Sequence, residues 1–380
     1  MNHEYTIQVY AKDTLGYESN EEIVEVTTNA YVNPTVNSVT ATSVTNDSIT
    51  VSVNASAGTN NIQNYYYSIN NGGYTSSSSN TYTFSGLSAG TSYSIRVYIT
   101  DTNGIDSNVY TINTETDDIV LLADYIKSLY TSQGSNGIYY HTSSLANSAG
   151  DNSYRYAGAN PNNYVCFGSD ASTCPSDNLY RIIGVFGDEV KLIKSTSYGS
   201  YNWSSGGSNI WNSSDLRNIL NSTFLNNFNN TWQNKISTHV WNVGGTPWLE
   251  SYNWPAQTVY DYELGNSSIN TTDTAKIGLM YISDYGFSTV SDYWQYIFAE
   301  YDEYLVRNNN WMWLGSSEST ITRISDLDSS QLIFIIDYGG SLSYFGNPDS
   351  NYAIRPCFYL VSSTQYISGS GTSSDPIRIN

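Results

Sequence analysis

The sequence predicts a multidomain chain, an all-β sandwich followed by an α+β domain, and three observations carry that prediction. A strand-and-turn segment occurs twice at a fixed offset. The stretch between its two occurrences alternates apolar and polar residues with a period of two. Beyond about residue 150 the 380-residue chain changes character, with all nine tryptophans set among long Asn-, Ser- and Gly-rich segments.

The repeat pairs Tyr5-Thr-Ile-Gln-Val-Tyr-Ala-Lys-Asp13-Thr-Leu-Gly16 with Tyr93-Ser-Ile-Arg-Val-Tyr-Ile-Thr-Asp101-Thr-Asn-Gly104, an offset of 93 − 5 = 88 residues. Both copies run on to Ser-Asn, at Ser19-Asn20 and Ser107-Asn108. Such a period is the length of one small β domain. Residues 1–29 are therefore expected to be the final strands of one copy, and 30–116 a complete copy. In the complete copy Ile49, Val51 and Val53 face inward while Thr50 and Ser52 face out, the period-two pattern of a half-buried strand. Tyr65-Tyr-Tyr-Ser-Ile69 leads into the turn residues Asn70-Asn71-Gly72-Gly73, and Tyr93, Ile95, Val97 and Ile99 form a further inward stripe. Leu87-Ser-Ala-Gly-Thr-Ser-Tyr93 places a tyrosine where its hydroxyl can return to upstream backbone. On these residues the stretch resembles a fibronectin type III domain. It departs from that pattern in having Ala89 for the usual proline and Val53 for the usual core tryptophan.

Residues 117–150 read as a linker containing one short amphipathic helix. Asp117 and Asp118 are candidate caps for Ile119-Val-Leu-Leu-Ala-Asp-Tyr-Ile-Lys-Ser-Leu-Tyr130, and Gln133 to Gly150 is Gly-, Ser- and Asn-rich.

Composition narrows the function classes. Fourteen Lys+Arg against 34 Asp+Glu give a net charge of −20, which repels a phosphate backbone, so nucleic acid is excluded as a partner. No apolar run is long enough to span a bilayer, so no membrane insertion is expected. The start lacks the basic and apolar regions of a secretion signal; for an exported protein, signal and anchor are expected outside this stretch. Charged residues are only 13%, and the neutral polar surface this implies is common on exported proteins. Cys166 and Cys174 flank a short polar loop and are expected to form a disulfide in an oxidising compartment. Cys357, within Ile-Arg-Pro-Cys-Phe-Tyr-Leu, is expected to be a small buried apolar group.

Residues 151–380 predict a hairpin of Leu179–Phe186 and Glu189–Lys194 turning through Gly187-Asp188. A helix over 214–225 capped by Ser214 follows, and then strands at 276–282, 311–314, 332–336 and 353–361. The matching pieces Asn178-Leu-Tyr-Arg-Ile-Ile-Gly184, Ile277-Gly-Leu-Met-Tyr-Ile-Ser-Asp-Tyr285, Trp311-Met-Trp-Leu314, Ile354-Arg-Pro-Cys-Phe-Tyr-Leu360 and Gly369-Ser-Gly-Thr-Ser-Ser-Asp-Pro376 resemble an uncharacterised module of bacterial surface proteins. That module looks like a divergent C-type-lectin-like fold, the branch of formylglycine-generating enzyme and of diversified ligand-binding proteins of phages and bacteria. The resemblance implies a small twisted sheet, two helices and a long loop region displaying a binding surface, on an extracellular protein of the bacterial cell surface.

Candidate chemistry is sparse. His3, His141 and His239 have no catalytic partner close in sequence, and no HExxH, GxSxG or Walker A pattern occurs. The cysteine chemistry of the formylglycine-generating branch needs a second cysteine beside Cys357, and none is there. No catalytic residue is therefore assigned, and no cofactor is expected. Asn347-Pro348-Asp349 faintly resembles a lectin calcium loop, which would place calcium ligands at Asn347 and Asp349. The stronger pointer is a set of loop aromatics, Trp203, Trp248, Tyr252, Trp254, Tyr285, Trp294 and Tyr296, among Asn, Ser and Gly. Rigid rings with adaptable amides are the composition of recognition surfaces. The expectation is an adhesin binding a surface glycan or a protein. A glycosidase using Asp261, Glu263 or Glu300 and a structural surface-layer protein are the alternatives.

Overall fold

The computed structural model describes residues 2–247, 253–265, 271–325 and 331–380, and the chain divides into two units, Met1–Ile119 and Val120–Asn380. Among the described residues no helix is long and apolar enough to cross a membrane.

The first unit begins with an antiparallel hairpin, β1 (Glu4–Val9) with β2 (Glu22–Thr27), all of whose residues are exposed. A sandwich follows, made of β3 (Thr35–Val44), β4 (Ser48–Ser56), β5 (Ile62–Ile69), β6 (Thr75–Ser77), β7 (Thr81–Ser85), β8 (Ser92–Asp101) and β9 (Tyr110–Glu115). One sheet has the order β3-β4-β7 and the other β6-β5-β8-β9. Its core is the inward stripe read from sequence: Ile49, Val51 and Val53 from β4 meet Ile95, Val97 and Ile99 from β8, with Tyr67 between. Val53 is buried where the tryptophan of the pattern would sit. The Tyr93 hydroxyl accepts a hydrogen bond from the Ser88 backbone N–H at 2.8 Å, which closes the tyrosine corner. Residues 30–116 are thus a fibronectin type III-like all-β domain.

The repeat holds at the level of single hydrogen bonds. Asp13 accepts from the N–H groups of Leu15 and Tyr17, both at 2.9 Å, and Asp101 accepts from Asn103 and Ile105, both at 2.9 Å. Ser19 accepts from Ala11 N–H as Ser107 does from Ile99. Each pair is separated by the 88-residue offset, so the same side chains build the same turn twice.

In the second unit the helix Leu122–Ser128 buries Leu122, Ala123 and Ile126 in the main core. Ile138, His141 and Ala149 are buried as well, so residues 120–150 are an integral layer of this unit and not the linker their composition suggested. The Asn-rich turns are tight: Asn136, Asn147 and Asn152 take left-handed φ of 55°, 58° and 58°, which Asn tolerates better than other side chains. Asp117 and Asp118 do not cap the helix. Its N-cap is Leu121, because the chain first pairs with the C-terminal segment, Leu122 N–H donating to Thr364 at 2.8 Å and Tyr366 N–H to Val120 at 2.8 Å.

The main sheet contains β10 (Ile138–Tyr140), β11 (Tyr154–Tyr156), β12 (Tyr164–Cys166), β13 (Leu179–Phe186) and β14 (Glu189–Lys194). The hairpin of β13 and β14 turns at Gly187-Asp188 as read from sequence. The main sheet is completed by β18 (Ile277–Gly278) and β23 (Cys357–Leu360), and a second sheet and two ribbons add β15 (Gly199–Asn202), β16 (His239–Asn242), β17 (Thr272–Ala275), β19 (Glu318–Arg323), β20 (Ile333–Ile336), β21 (Leu342–Gly346), β22 (Asn351–Ile354), β24 (Tyr366–Ser368) and β25 (Arg378–Ile379). The main sheet has the order β10-β11-β13-β14-β23-β18 with β12 on β13, and the second β15-β22-β19-β20-β21.

Four expected elements differ, the first being the 353–361 strand, which is divided between β22 of the second sheet and β23 of the main sheet. Ser214 caps its helix by accepting from Arg217 N–H, but the regular α-turn covers Asp215–Ile219 and then widens over Leu220–Phe224. The 276–282 strand shrinks to Ile277–Gly278 and is followed by the helix Ile282–Phe287. Residues 311–314 form no strand: the Asn310 side chain accepts from Met312 N–H at 2.8 Å, and Trp311 donates its indole N–H to Tyr156 O at 2.8 Å, which fixes a turn.

Candidate recognition surface

The loop aromatics chosen from sequence are mostly interior. Trp203, Tyr285 and Trp294 are 0–1% exposed. Trp203 meets Trp211 edge-on with ring centroids 5.0 Å apart. The Tyr285 hydroxyl donates to Gly340 O at 2.9 Å, and the Trp294 indole donates to Thr289 O at 3.1 Å. Trp254 is half-buried and stacks on Tyr262 at 4.4 Å. Only Tyr296 of the described candidates is surface-exposed; Trp248 and Tyr252 lie outside the described residues. The Asn, Ser and Gly neighbours satisfy turn backbone at the surface, while the large apolar rings are what these irregular segments have to bury.

A different set of rings faces water. Tyr304, Tyr338 and Phe345 are 83%, 72% and 69% exposed. Tyr304 lies on the outer side of the helix Glu303–Asn309, whose Leu305 and Val306 turn inward. Tyr338 is in the turn between β20 and β21, and Phe345 is on β21, the end strand of its sheet, with Tyr344 at 4.2 Å. That turn rests directly on the helix: Gly340 has φ of +90°, and a Cβ there would lie 2.3 Å from a Val306 methyl. The signal available in sequence was the tyrosine beside the two apolar residues of a short helix, and a ring in an Asp-Tyr-Gly-Gly turn.

The acids weighed for hydrolysis serve local structure. Glu263 is buried and accepts from the N–H groups of Ile282 and Ser283 at 2.9 and 3.0 Å, as well as from the Thr322 hydroxyl. Burial, only partly offset by these bonds, pushes its carboxyl up to about 7. Glu300 accepts from Ile297 N–H at 3.2 Å, Asp302 caps the helix through Leu305 N–H at 2.8 Å, and Glu303 pairs with Arg307 at 2.9 Å. Asp261 is exposed. His141 is buried with Nδ1 accepting from Ala149 N–H at 3.0 Å, and burial holds it in the neutral form. His239 stacks on Tyr359 at 3.8 Å and faces Glu189 at 3.4 Å. His3 is exposed.

Asn347-Pro348-Asp349 is the turn between β21 and β22. Asn347 N–H donates to the Tyr352 hydroxyl at 3.0 Å, Ser350 N–H to Asn347 O at 3.0 Å and Ser204 N–H to Pro348 O at 2.8 Å. Among the described residues no group of three or more His, Cys, Asp or Glu side chains converges to hold a metal ion. Asn347 and Asp349 therefore act in a turn bonded to backbone and to Tyr352.

Beneath the surface, charge is gathered inside the unit. Asp284 receives Lys191 at 2.5 Å and Arg155 at 3.4 Å, all three side chains being 1% exposed, and Arg155 also binds Asp151 at 2.7 Å. Lys191 sits among the rings of Tyr281, Tyr359 and Trp241 at 4.5, 5.3 and 5.4 Å. Arg355 is held by Glu318 at 2.7 and 2.8 Å, and Arg217 by Asp273 at 2.6 and 2.8 Å. Cys357 is a buried free thiol beside this network, and burial pushes its pKa up. Arg155, Lys191, Arg217 and Arg355 are thus held by buried carboxylates, and the chain's net charge of −20 makes the outward field negative.

The fold and these sites define a β-sandwich unit joined in sequence to a larger unit with an aromatic core and a few exposed rings. No family model matches the chain, and no curated protein matches it. Solved structures show likeness over about a quarter of it. The PKD1 domain from Vibrio cholerae metalloprotease PrtV is 20% identical and is matched over 23% of this chain and 99% of that one, with a TM-score of 0.20. The PKD1 domain of Vibrio anguillarum Epp is 19% identical over 23% of this chain and 99% of that one, TM-score 0.20. The fibronectin type-III domain of human fibronectin type III domain containing protein 3 is 18% identical over 24% and 91%, TM-score 0.19.

Proposed function

We propose that this chain belongs to an extracellular bacterial surface protein, in which a fibronectin type III spacer carries a C-type-lectin-like module that binds a surface glycan or protein without covalent chemistry. The observation that supports it is the exposure of Tyr304, Tyr338 and Phe345 in a unit that buries most of its other large rings. Contiguous exposed apolar surface marks interaction sites, and the turn that carries Tyr338 joins β21, which carries Phe345, and packs on the helix that carries Tyr304. The disulfide between Cys166 and Cys174 fits an oxidising compartment, and the net charge of −20 disfavours anionic polymers as ligands. Hydrolysis by Glu263 or Glu300 has less support, since each is committed to backbone N–H groups.

The test is binding of the full chain to a glycan array and to purified extracellular matrix proteins. Replacing the three rings together (Tyr304→Ser, Tyr338→Ser, Phe345→Ser) is expected to lower binding at least tenfold with the thermal midpoint unchanged. Binding equal to the wild type refutes the surface assigned here. A second reading is favoured by the burial of Trp203, Tyr285 and Trp294: a structural surface component whose aromatics only fill a core. Absence of binding to every component of both panels selects it.

A further inference from the structure

We propose that the cleft between the disulfide loop and the C-terminal ribbon is a second binding site, shaped for a neutral saccharide unit and independent of the exposed rings. The cleft is open and has a volume of about 560 Å³, within the range of small-ligand sites.

Both of its walls are braced by covalent or hydrogen bonds. On one side the Cys166–Cys174 bond closes the loop, and the Arg378 guanidinium donates to the carbonyls of Ala171 and Ser172 at 2.9 and 2.8 Å. On the other side Gly369 to Pro376 forms a turn in which Ser370 and Gly371 N–H groups donate to Asp375 O at 3.1 and 3.0 Å, and Asp375 N–H returns to Thr372 O at 3.2 Å. Gly371 has φ of +79°, and a Cβ there would lie 2.5 Å from Asn162 O, so the turn is held tightly against its neighbour. A cleft with walls fixed in advance loses little entropy when it binds.

The lining sets the ligand class. The buried Trp232 and Ile379 and the exposed Ile367 make the apolar part of the lining, and the exposed Ser172, Thr173 and Ser373 add hydroxyls. Asp170 and Asp375 add carboxylates, and the lone cation of the lining, Arg378, already donates to two carbonyls. Carboxylates and serine hydroxyls are acceptors for hydroxyl donors, and apolar surface suits the C–H face of a sugar ring. A phosphate or uronic acid would meet the Asp170 and Asp375 carboxylates, while Arg378 is already engaged and Lys235, 5.6 Å from the Trp232 ring centroid, lies beside the Asp170 carboxylate.

The experiment is saturation-transfer NMR on the full chain with lactose, cellobiose and chitobiose, with glucuronic acid and spermidine as charged probes. At least one neutral disaccharide is expected to bind, with glucuronic acid silent. Asp170→Ala is expected to weaken that binding at least tenfold, and Ser373→Trp, which fills the cleft, to abolish it at an unchanged melting temperature. The triple ring variant is expected to leave it intact, which separates this site from the surface proposed above. Silence of all three disaccharides, binding of spermidine alone, or sugar binding untouched by both Asp170→Ala and Ser373→Trp would overturn the assignment.

Discussion

Replacing Asp284 by alanine removes the shared anion of the buried network. Its carboxylate is the acceptor for Lys191 at 2.5 Å, for Arg155 at 3.4 Å and for Tyr281 N–H at 2.9 Å. In the variant Arg155 keeps Asp151 at 2.7 Å, but Lys191 is left 1% exposed with aromatic faces as neighbours. Taking one partner from a buried ion pair costs about 3–5 kcal/mol. For a unit of this size that corresponds to a fall of about 6–20 °C in Tm. Urea unfolding followed by tryptophan fluorescence reads this cleanly, because all nine tryptophans lie at or beyond residue 203 and the sandwich is silent. In a double-mutant cycle Lys191→Met should destabilise the wild type yet recover stability in the Asp284→Ala background, since it then removes an unpaired charge. A loss below about 1 kcal/mol for Asp284→Ala, against the size expected for a broken buried pair, refutes the account. So does equal damage from Lys191→Met in both backgrounds.

Glu263 carries a pH signature. Its folded-state carboxyl is raised to about 7 from 4.5, so the native state holds the proton more tightly; its contribution is fully present below about pH 4.5 and is lost as pH rises through about 7. Glu263→Gln should flatten that part of the stability profile, even though one acceptor for the Ile282 and Ser283 N–H groups disappears; an unchanged slope contradicts the assignment. Trp203→Ala is expected to cost roughly 3–5 kcal/mol through a core cavity, measured by urea unfolding, and to act on stability and not selectively on ligand affinity. Tyr93→Phe removes the acceptor for Ser88 N–H, and hydrogen exchange at that amide should show a loss on the order of 1 kcal/mol.

What the sequence determined by itself was local and periodic. The 88-residue repeat, the inward stripe of Ile49, Val51 and Val53, the tyrosine corner and the hairpin at Gly187-Asp188 all depend on neighbours along the chain or on one strand's alternation, and each is in the structure. The Cys166–Cys174 bond was legible for the same reason, its two cysteines standing only 8 residues apart across a short polar loop. What the tertiary structure decided was which side of an irregular segment faces water. Trp203 and Trp294 stand in polar stretches with no strand period to give them a direction, and Tyr285 is on a short helix buried on every side; long-range contacts, such as Tyr285 with Gly340, hold them inward. The same holds for residues 120–150, which read as a loose connection until the C-terminal segment pairs with them, and for Asp284, whose role depends on cations 93 and 129 residues away. Period and turn chemistry are written along the chain. The burial of a side chain in a loop is set by elements that are distant in sequence.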